Sequence, residues 1–269
     1  SMGVAGVALA TSISQYLSAA LIAICLMRSE SCYRLHWDEL ALHKDKALPI
    51  IRIGLPAGLQ SSIFAISNVV IQSSINSFGS IAMAGSAAAA NIEGFVYVSM
   101  NSVAQASLSF ASQNIGARRY ERISKISRTC LLLAALFGLV LGNGVYLLHD
   151  TFLRFYSPDP AVIEAGALRL SVICTTYFLC GLMDTLACIL RAMGKSLLPM
   201  VVTIIGACGL RVLWIYTVFP LDRTFFTLFL SYPITWGVTA AVHAVCYFFT
   251  KRTMLRRAQA SAPSEASST

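Results

Sequence analysis

Charged residues are scarce in this chain. Only 12% of its 269 residues are Asp, Glu, Lys or Arg, whereas 57% are hydrophobic. So few charges leave too little polar surface to keep a chain of this length in water as one domain. The composition therefore excludes an ordinary soluble protein.

Motifs of metal sites and hydrolases are also missing. The eight cysteines form no C-x-x-C pair and no Cys/His spacing suited to zinc. Most of them lie inside apolar stretches, where cysteine usually behaves as a small apolar residue. Neither H-E-x-x-H nor G-x-S-x-G occurs. We therefore expect no enzyme, no disulfide framework, no metal site and no cofactor.

Seven long apolar stretches dominate the remaining sequence. Each has about 20 residues or more, enough at a rise of about 1.5 Å to cross a hydrocarbon core of about 30 Å. They are too long for the strands of a transmembrane barrel. The sequence predicts an all-α polytopic membrane protein with seven transmembrane helices, called here predicted helices 1 to 7. They cover residues 3–27, 53–75, 82–104, 129–148, 168–190, 197–219 and 225–249.

Basic residues cluster in alternate connections. Sixteen of the 20 Lys and Arg residues follow predicted helices 1, 3, 5 and 7, against two in the other loops. Cytoplasmic loops carry such an excess, so we expect an amino terminus outside and a carboxyl terminus in the cytoplasm, in the cytoplasmic (plasma) membrane. The net charge of +8 then reflects topology within a lipid bilayer and indicates no nucleic-acid partner.

Domain boundaries follow from the hydrophilic segments. Residues 28–52 form the longest connection and carry charges of both signs, as expected of a cytoplasmic linker between two bundles. Residues 53–250 then form a six-helix bundle, and residues 1–27 are the last helix of a preceding one. Residues 251–269 are predicted to be a disordered cytoplasmic tail, because they end in Ala and Ser without apolar periodicity. The odd helix count suggests a fragment.

Polar side chains recur along predicted helices 2 and 3, mostly in steps of four, which places them on one sector of each helix. Such a sector faces either a solvated cavity or hydrogen-bonding neighbour helices. We favour the cavity because two adjacent helices share the pattern. The candidate cavity-lining residues, with one from predicted helix 5, are Gln60, Asn68, Gln72, Asn76, Tyr97, Asn101, Gln105 and Tyr177.

Two prolines interrupt the predicted helices. Pro56 lies one turn into predicted helix 2, and Pro233 lies in the middle third of predicted helix 7. Proline removes one backbone hydrogen bond and leaves a carbonyl free. Both positions are therefore candidate hinges, with a static kink as the alternative.

Three ionisable residues lie at membrane depth, where charge is costly and often functional. Helical rise places Glu93 about 15 Å and Arg211 about 12 Å from the outer surface, so we predict that they form an ion pair. Asp184, in the inner third of predicted helix 5, has no obvious partner. A lone carboxylate there attracts a proton or a small cation, which makes Asp184 the first ion-coupling candidate and Glu93 the second. A structural salt bridge, or orientation toward Arg191, is the alternative.

Four segments together resemble a known family. They are 53–60 (IGLPAGLQ), 84–95 (AGSAAAANIEGF), 112–118 (SQNIGAR) and 190–195 (LRAMGK). Their order and spacing resemble the second half of multidrug and toxic compound extrusion (MATE) transporters. Residues 3–11 resemble the sixth helix of that family. The chain would then comprise helices six to twelve.

The resemblance implies two six-helix lobes around a central cavity, with the first lobe as the missing partner. It also implies export of cationic or amphipathic compounds in exchange for protons or sodium. Asp184 lies in the region where the family uses an acid of its tenth helix. The sodium-coupled branch uses a further carboxylate on its seventh helix, and residues 60–64 contain none.

Other membrane proteins fit the sequence less well. Retinal binding needs a lysine in the last helix, and residues 225–249 contain none. A lipid or oligosaccharide flippase on a related two-lobed scaffold is the main alternative. The cavity of such a flippase is more basic. Because Arg211 is the only deep basic residue in the predicted helices, the sequence favours cationic or neutral cargo.

Overall fold

The structure is a computed structural model that describes residues 3–30, 34–35, 41 and 43–260. Within these residues it is helical and contains no strand, which confirms the all-α class. A 3₁₀ turn at Tyr120–Arg122 precedes the helix that begins at Ile123, and a π-helical segment at Ile204–Gly209 joins two short helices. The helices are α1 (Gly3–Arg28), α2 (Lys44–Asn76), α3 (Ser80–Gly116), α4 (Ile123–Leu147), α5 (His149–Arg154), α6 (Pro160–Ala192), α7 (Leu197–Thr203), α8 (Leu210–Thr217) and α9 (Phe225–Ala260).

Seven spans in the described part of the chain are long and apolar enough to cross a membrane. Six are the long helices α1, α2, α3, α4, α6 and α9, and the seventh is the continuous Leu197–Thr217. Large apolar side chains such as Leu132 and Phe248 are each 65% exposed, as expected for side chains that face lipid. The predicted number of spans is confirmed.

Chain contacts divide the protein into two compact units, Ser1–Pro49 and Ile50–Thr269. The first contains α1, whose side chains Ile13 and Leu17 are exposed. The second contains all the site geometry described below.

Helix α6 lies at the centre of the second unit and packs against α3, α4 and α9. It begins with Pro160 in its first turn, and the Asp159 side chain caps it by accepting a hydrogen bond from the Ala161 backbone N–H at 2.9 Å. Leu170 and Ile189 along α6 are fully buried. A helix that is apolar on most sides is expected at such a central position.

Glycine allows α4 to approach α6 closely. A Cβ atom on Gly138 would lie 2.5 Å from the Phe178 Cα, and one on Gly142 would overlap the Cys174 carbonyl oxygen. The two glycines are four residues apart and therefore share one face of α4. This small-residue spacing is typical of closely packed membrane helices.

Several predicted boundaries are wrong. Helix α2 begins at Lys44, inside the predicted linker, and α9 continues to Ala260, so residues 251–260 of the predicted disordered tail are helical. Lys and Arg are good helix formers, so these helices extend beyond their apolar stretches. Residues 31–33, 36–40 and 42 of the linker and 261–269 of the tail lie outside the described residues.

The π-helical segment is an interruption that the sequence analysis did not predict. Gly206 within it lies against Thr239 of α9, where an added Cβ would collide with the threonine hydroxyl. Such segments often accompany functional sites, and Arg211 follows this one by two residues. Of the two predicted hinges, Pro56 is buried in α2 and Pro233 lies inside the continuous α9. Their hinge role stays a prediction.

Candidate functional site

Two cavities adjoin beside α6. The Asp184 cavity, of about 390 Å³, is lined by α2, α3, α6 and α7. The Glu93 cavity, of about 430 Å³, is lined by α2, α3, α6 and α9. Phe64, Tyr97 and Cys180 line both cavities and therefore lie at the boundary between them.

Most of the predicted cavity-lining side chains lie on these walls. The Asp184 cavity is lined by Gln60, Asn101 and Gln105, the Glu93 cavity by Asn68, Gln72 and Tyr177, and both by Tyr97. Asn76 interacts with its own helix, because its Oδ1 accepts a hydrogen bond from Gln72 Nε2 at 3.0 Å. The role of each residue in transport stays a prediction.

Asp184 is half-buried on the wall of its cavity. Its carboxylate forms no hydrogen bond and no ion pair with any residue in the described ranges. Arg191 shares the face two turns further along α6, but its Nη2 donates to Gln60 Oε1 at 2.9 Å. Asp184 therefore lacks a contacting counter-charge and can accept a proton or a small cation.

Arg191 lines the Asp184 cavity, although its position just after an apolar stretch predicted a place in the following turn. The apolar stretch ends at residue 190, which suggested a loop, but Arg191 lies in the last turn of α6 and lines the Asp184 cavity. Its Nη1 lies 3.9 Å from Cys188 Sγ, and its Nε has no hydrogen-bond partner among the described residues. The seven-residue spacing places Arg191 on the same face as Asp184, in agreement with the sequence analysis, which considered an orientation of Asp184 toward Arg191.

The predicted ion pair between Glu93 and Arg211 is wrong. Glu93 pairs with Arg169 of α6 in a bidentate contact, with Nε to Oε1 at 2.9 Å and Nη2 to Oε2 at 2.8 Å. Arg169 Nη1 also donates to Ser86 Oγ at 2.6 Å. Because α6 begins at Pro160, eight residues before the predicted apolar stretch, Arg169 lies inside the helix and is buried.

Arg211 is fully buried and contacts aromatic rings in place of an acid. Its Cζ lies 4.1 Å from the Tyr232 ring centroid and 5.5 Å from that of Phe64. Its Nη2 donates to Thr235 Oγ1 at 3.4 Å, whereas Nε and Nη1 have no hydrogen-bond partner among the described residues. Cation–π contacts therefore supply much of its stabilisation.

Aromatic rings form one wall of the Glu93 cavity. Tyr177 stacks on Trp236 with centroids 5.3 Å apart and an interplanar angle of 15°, and Tyr232 meets Trp236 edge-on at 5.4 Å. Such rings offer flat apolar faces and attract cations. The wall is therefore suited to a flat amphipathic molecule.

The two cavities and their immediate surroundings hold more basic residues than the sequence analysis predicted. Arg169 and Arg191 line the cavities and Arg211 contacts the aromatic wall, against the two acids Glu93 and Asp184. The expectation that Arg211 is the only deep basic residue is therefore wrong. Among the described residues, no group of three or more His, Cys, Asp and Glu side chains is placed to hold a metal ion.

Comparison with known proteins finds relatives that are named as probable multidrug resistance proteins. The probable multidrug resistance protein NorM of Thermotoga maritima is 24% identical over 205 residues, covering 76% of this chain and 44% of that protein. The probable multidrug resistance protein YoeA of Bacillus subtilis is 24% identical over 216 residues, covering 78% of this chain and 46% of that protein. The chain spans about half the length of these curated relatives.

Solved structures share the fold. A crystal structure of MATE in complex with MaL6 superposes with a TM-score of 0.85 at 17% identity, over 95% of this chain and 58% of that one. An outward-facing multidrug resistance MATE family transporter superposes with a TM-score of 0.84 at 18% identity, over 94% of this chain and 57% of that one. The model of the family described as MatE matches residues 56–217, more than half of this chain. The chain therefore belongs to the MatE family of multidrug and toxic compound extrusion transporters.

Proposed function

We propose that this chain is part of a secondary active exporter. The exporter moves cationic or amphipathic small molecules across the cytoplasmic membrane in exchange for protons or sodium ions. The observation that carries the proposal is the unpaired Asp184 carboxylate on the wall of a polar cavity within a MatE fold. A carboxylate at that depth is stable when it is protonated or ion-bound, and either state can be coupled to the contents of the cavity.

The Glu93 cavity supports amphipathic cargo. Its aromatic wall of Tyr177, Tyr232 and Trp236 offers stacking surface, and Asn68 and Gln72 offer amide groups on α2. Because Arg169 neutralises Glu93, the attraction for a cationic cargo would come mainly from the ring faces and from Asp184.

A second bundle would supply the opposite wall. The polar side chains of Asn68, Gln72 and Gln105 are exposed in this unit, although they lie on membrane-spanning helices. Amide side chains at membrane depth need hydrogen-bond partners, which protein or water can supply and lipid chains cannot. Rocking of two such bundles about a shared cavity is the usual basis of alternating access. The excess of basic residues after alternate helices supports a cytoplasmic carboxyl terminus.

Asp184→Asn in the complete two-lobed transporter tests the coupling role. We expect ion-driven dye efflux from vesicles to be abolished, with membrane insertion intact, because the amide does not titrate and has no negative charge to hold a cation. Glu164→Gln is the matched control, since Glu164 is exposed on the same helix. Unchanged efflux with a normal pH or sodium dependence would overturn the role of Asp184. Translocation of labelled lipid in the same vesicles without dye efflux would instead favour the flippase alternative.

A further inference from the structure

A third cavity lies where α3 turns into α4 and shares no lining residue with the two polar cavities. It measures about 320 Å³ and is lined by Phe110, Asn114, Arg122, Lys125 and Ile126. The turn beside it is tightly hydrogen-bonded. The Arg119 backbone N–H donates to the Asn114 carbonyl at 2.9 Å, and Arg118 adopts a left-handed φ of 58°. These bonds hold the end of α3 against the start of α4.

The lining residues are ordered by depth. Phe110 lies four residues before Asn114 on α3, and Ile126 lies four residues after Arg122 on α4, a displacement of about 6 Å in each case. Both helices run from this turn into the membrane. Phe110 and Ile126 therefore form the deeper, apolar end of the cavity. Arg122 and Asn114 form the end at the membrane surface, and the long side chain of Lys125, one residue before Ile126, can extend toward that surface.

The cations at the surface end are uncompensated. Neither Arg122 nor Lys125 forms an ion pair with an acid in the part of the chain that the structure describes. Residues 118–128 contain five basic side chains and a single acid, Glu121. The cavity therefore combines positive charge at the interface with apolar surface below it.

We propose that this cavity binds an anionic phospholipid, with the phosphate at Arg122 and Lys125 and an acyl chain along Phe110 and Ile126. Basic pockets between membrane helices attract anionic headgroups, and Arg and Lys form charge-assisted hydrogen bonds to phosphate oxygens. Phe110 is 55% exposed, so an acyl chain can reach it from the bilayer. A free phosphate ion would occupy the charged end alone and leave the apolar end unused.

Photolabelling of the 269-residue chain in lipid nanodiscs tests the site. The probe is phosphatidylglycerol with a diazirine in its acyl chain. We expect crosslinks at Phe110 and Ile126 that unlabelled phosphatidylglycerol suppresses and phosphatidylcholine does not. Arg122→Gln with Lys125→Gln should weaken phosphatidylglycerol binding roughly 30-fold, because each interfacial cation contributes about fivefold. Arg154→Gln with Arg223→Gln removes the same charge from the loops after predicted helices 4 and 6 and should leave binding unchanged.

Three results would overturn the proposal. Equal suppression by phosphatidylcholine would show that charge is not recognised, and unchanged binding in the Arg122/Lys125 variant would show that these cations are not involved. Displacement of the probe by inorganic phosphate at the same concentration as phosphatidylglycerol would assign the cavity to a free anion. Phe110→Ala keeps every charge and should weaken binding of the lipid, which tests the apolar end if the double variant does not fold.

Discussion

Two buried arginines of the second unit are stabilised in different ways. Arg169 is paired with Glu93 through two hydrogen bonds, whereas Arg211 is surrounded by the rings of Tyr232 and Phe64. Removing a guanidinium from water costs several kcal/mol. A bidentate carboxylate offsets much of that cost, while cation–π contacts contribute about 2 kcal/mol each when desolvated. We therefore predict that replacing each arginine by methionine changes the stability of the protein in opposite directions.

Arg169→Met should lower the free energy of unfolding by about 3–5 kcal/mol, because it leaves Glu93 buried and unpaired. Arg211→Met leaves no unpaired carboxylate and removes two nitrogen atoms, Nε and Nη1, that have no hydrogen-bond partner in the described residues. We expect it to keep or raise the thermal midpoint in detergent.

A double-mutant cycle separates the two candidate partners of Glu93. Glu93→Gln should rescue much of the loss caused by Arg169→Met and should show little coupling to Arg211→Met. Strong coupling between Glu93 and Arg211, or a stable Arg169→Met protein, would contradict the ion-pair assignment.

Depth counting along the sequence placed Glu93 and Arg211 in the membrane but paired them incorrectly. Partner choice depends on which helices are neighbours, and hydropathy does not encode that. Helix α3 packs against α6, so Glu93 reaches Arg169. The polar rows on α2 and α3 were easier to predict, because the periodicity that locates them is local.

Two glycines set the distance between α4 and α6. Phe178 and Cys174 of α6 occupy the space into which a Cβ of Gly138 or Gly142 would project. Loss of this contact would separate helix α6, which carries Asp184, from its support on the α4 side. The packing of these helices is therefore linked to the position of the candidate coupling residue.

Gly142→Ala should destabilise the protein by about 1–3 kcal/mol, because the added methyl group meets backbone atoms that cannot yield. Gly144→Ala is the control on the same helix, since a Cβ there has nothing within 4 Å. It should be neutral or stabilising by up to about 1 kcal/mol through helix propensity. Thermal unfolding in one detergent compares both variants. Equal effects of the two substitutions would contradict the close approach of α4 to α6.

The π-helical segment and the true helix ends could not be predicted from the sequence. Residues 197–219 form one unbroken apolar stretch, and hydropathy does not report a change of hydrogen-bond register at Ile204–Gly209. The same limit explains α2 and α9, which continue past their apolar residues. Where a helix stops depends on backbone hydrogen bonds, whereas hydropathy reports only the part that lipid can cover.

The second unit as a whole has the surface expected of one wall of a larger cavity. Its two polar cavities adjoin, and amide side chains of α2 and α3 are exposed at membrane depth. The chain spans 44% of the length of the T. maritima relative and 46% of the B. subtilis relative. We therefore propose that transport requires a second bundle opposite these residues.

Reconstitution of the 269-residue chain in vesicles, alone and together with the complementary half of a two-lobed transporter, tests this claim most directly. We predict that the chain alone inserts into the membrane but supports no ion-coupled dye efflux, because it has no second bundle against which to move. Efflux should appear when the complementary half is supplied and should disappear again with Asp184→Asn. Robust ion-coupled efflux by the chain alone would contradict the two-bundle account and would require a mechanism based on a single bundle or on self-association.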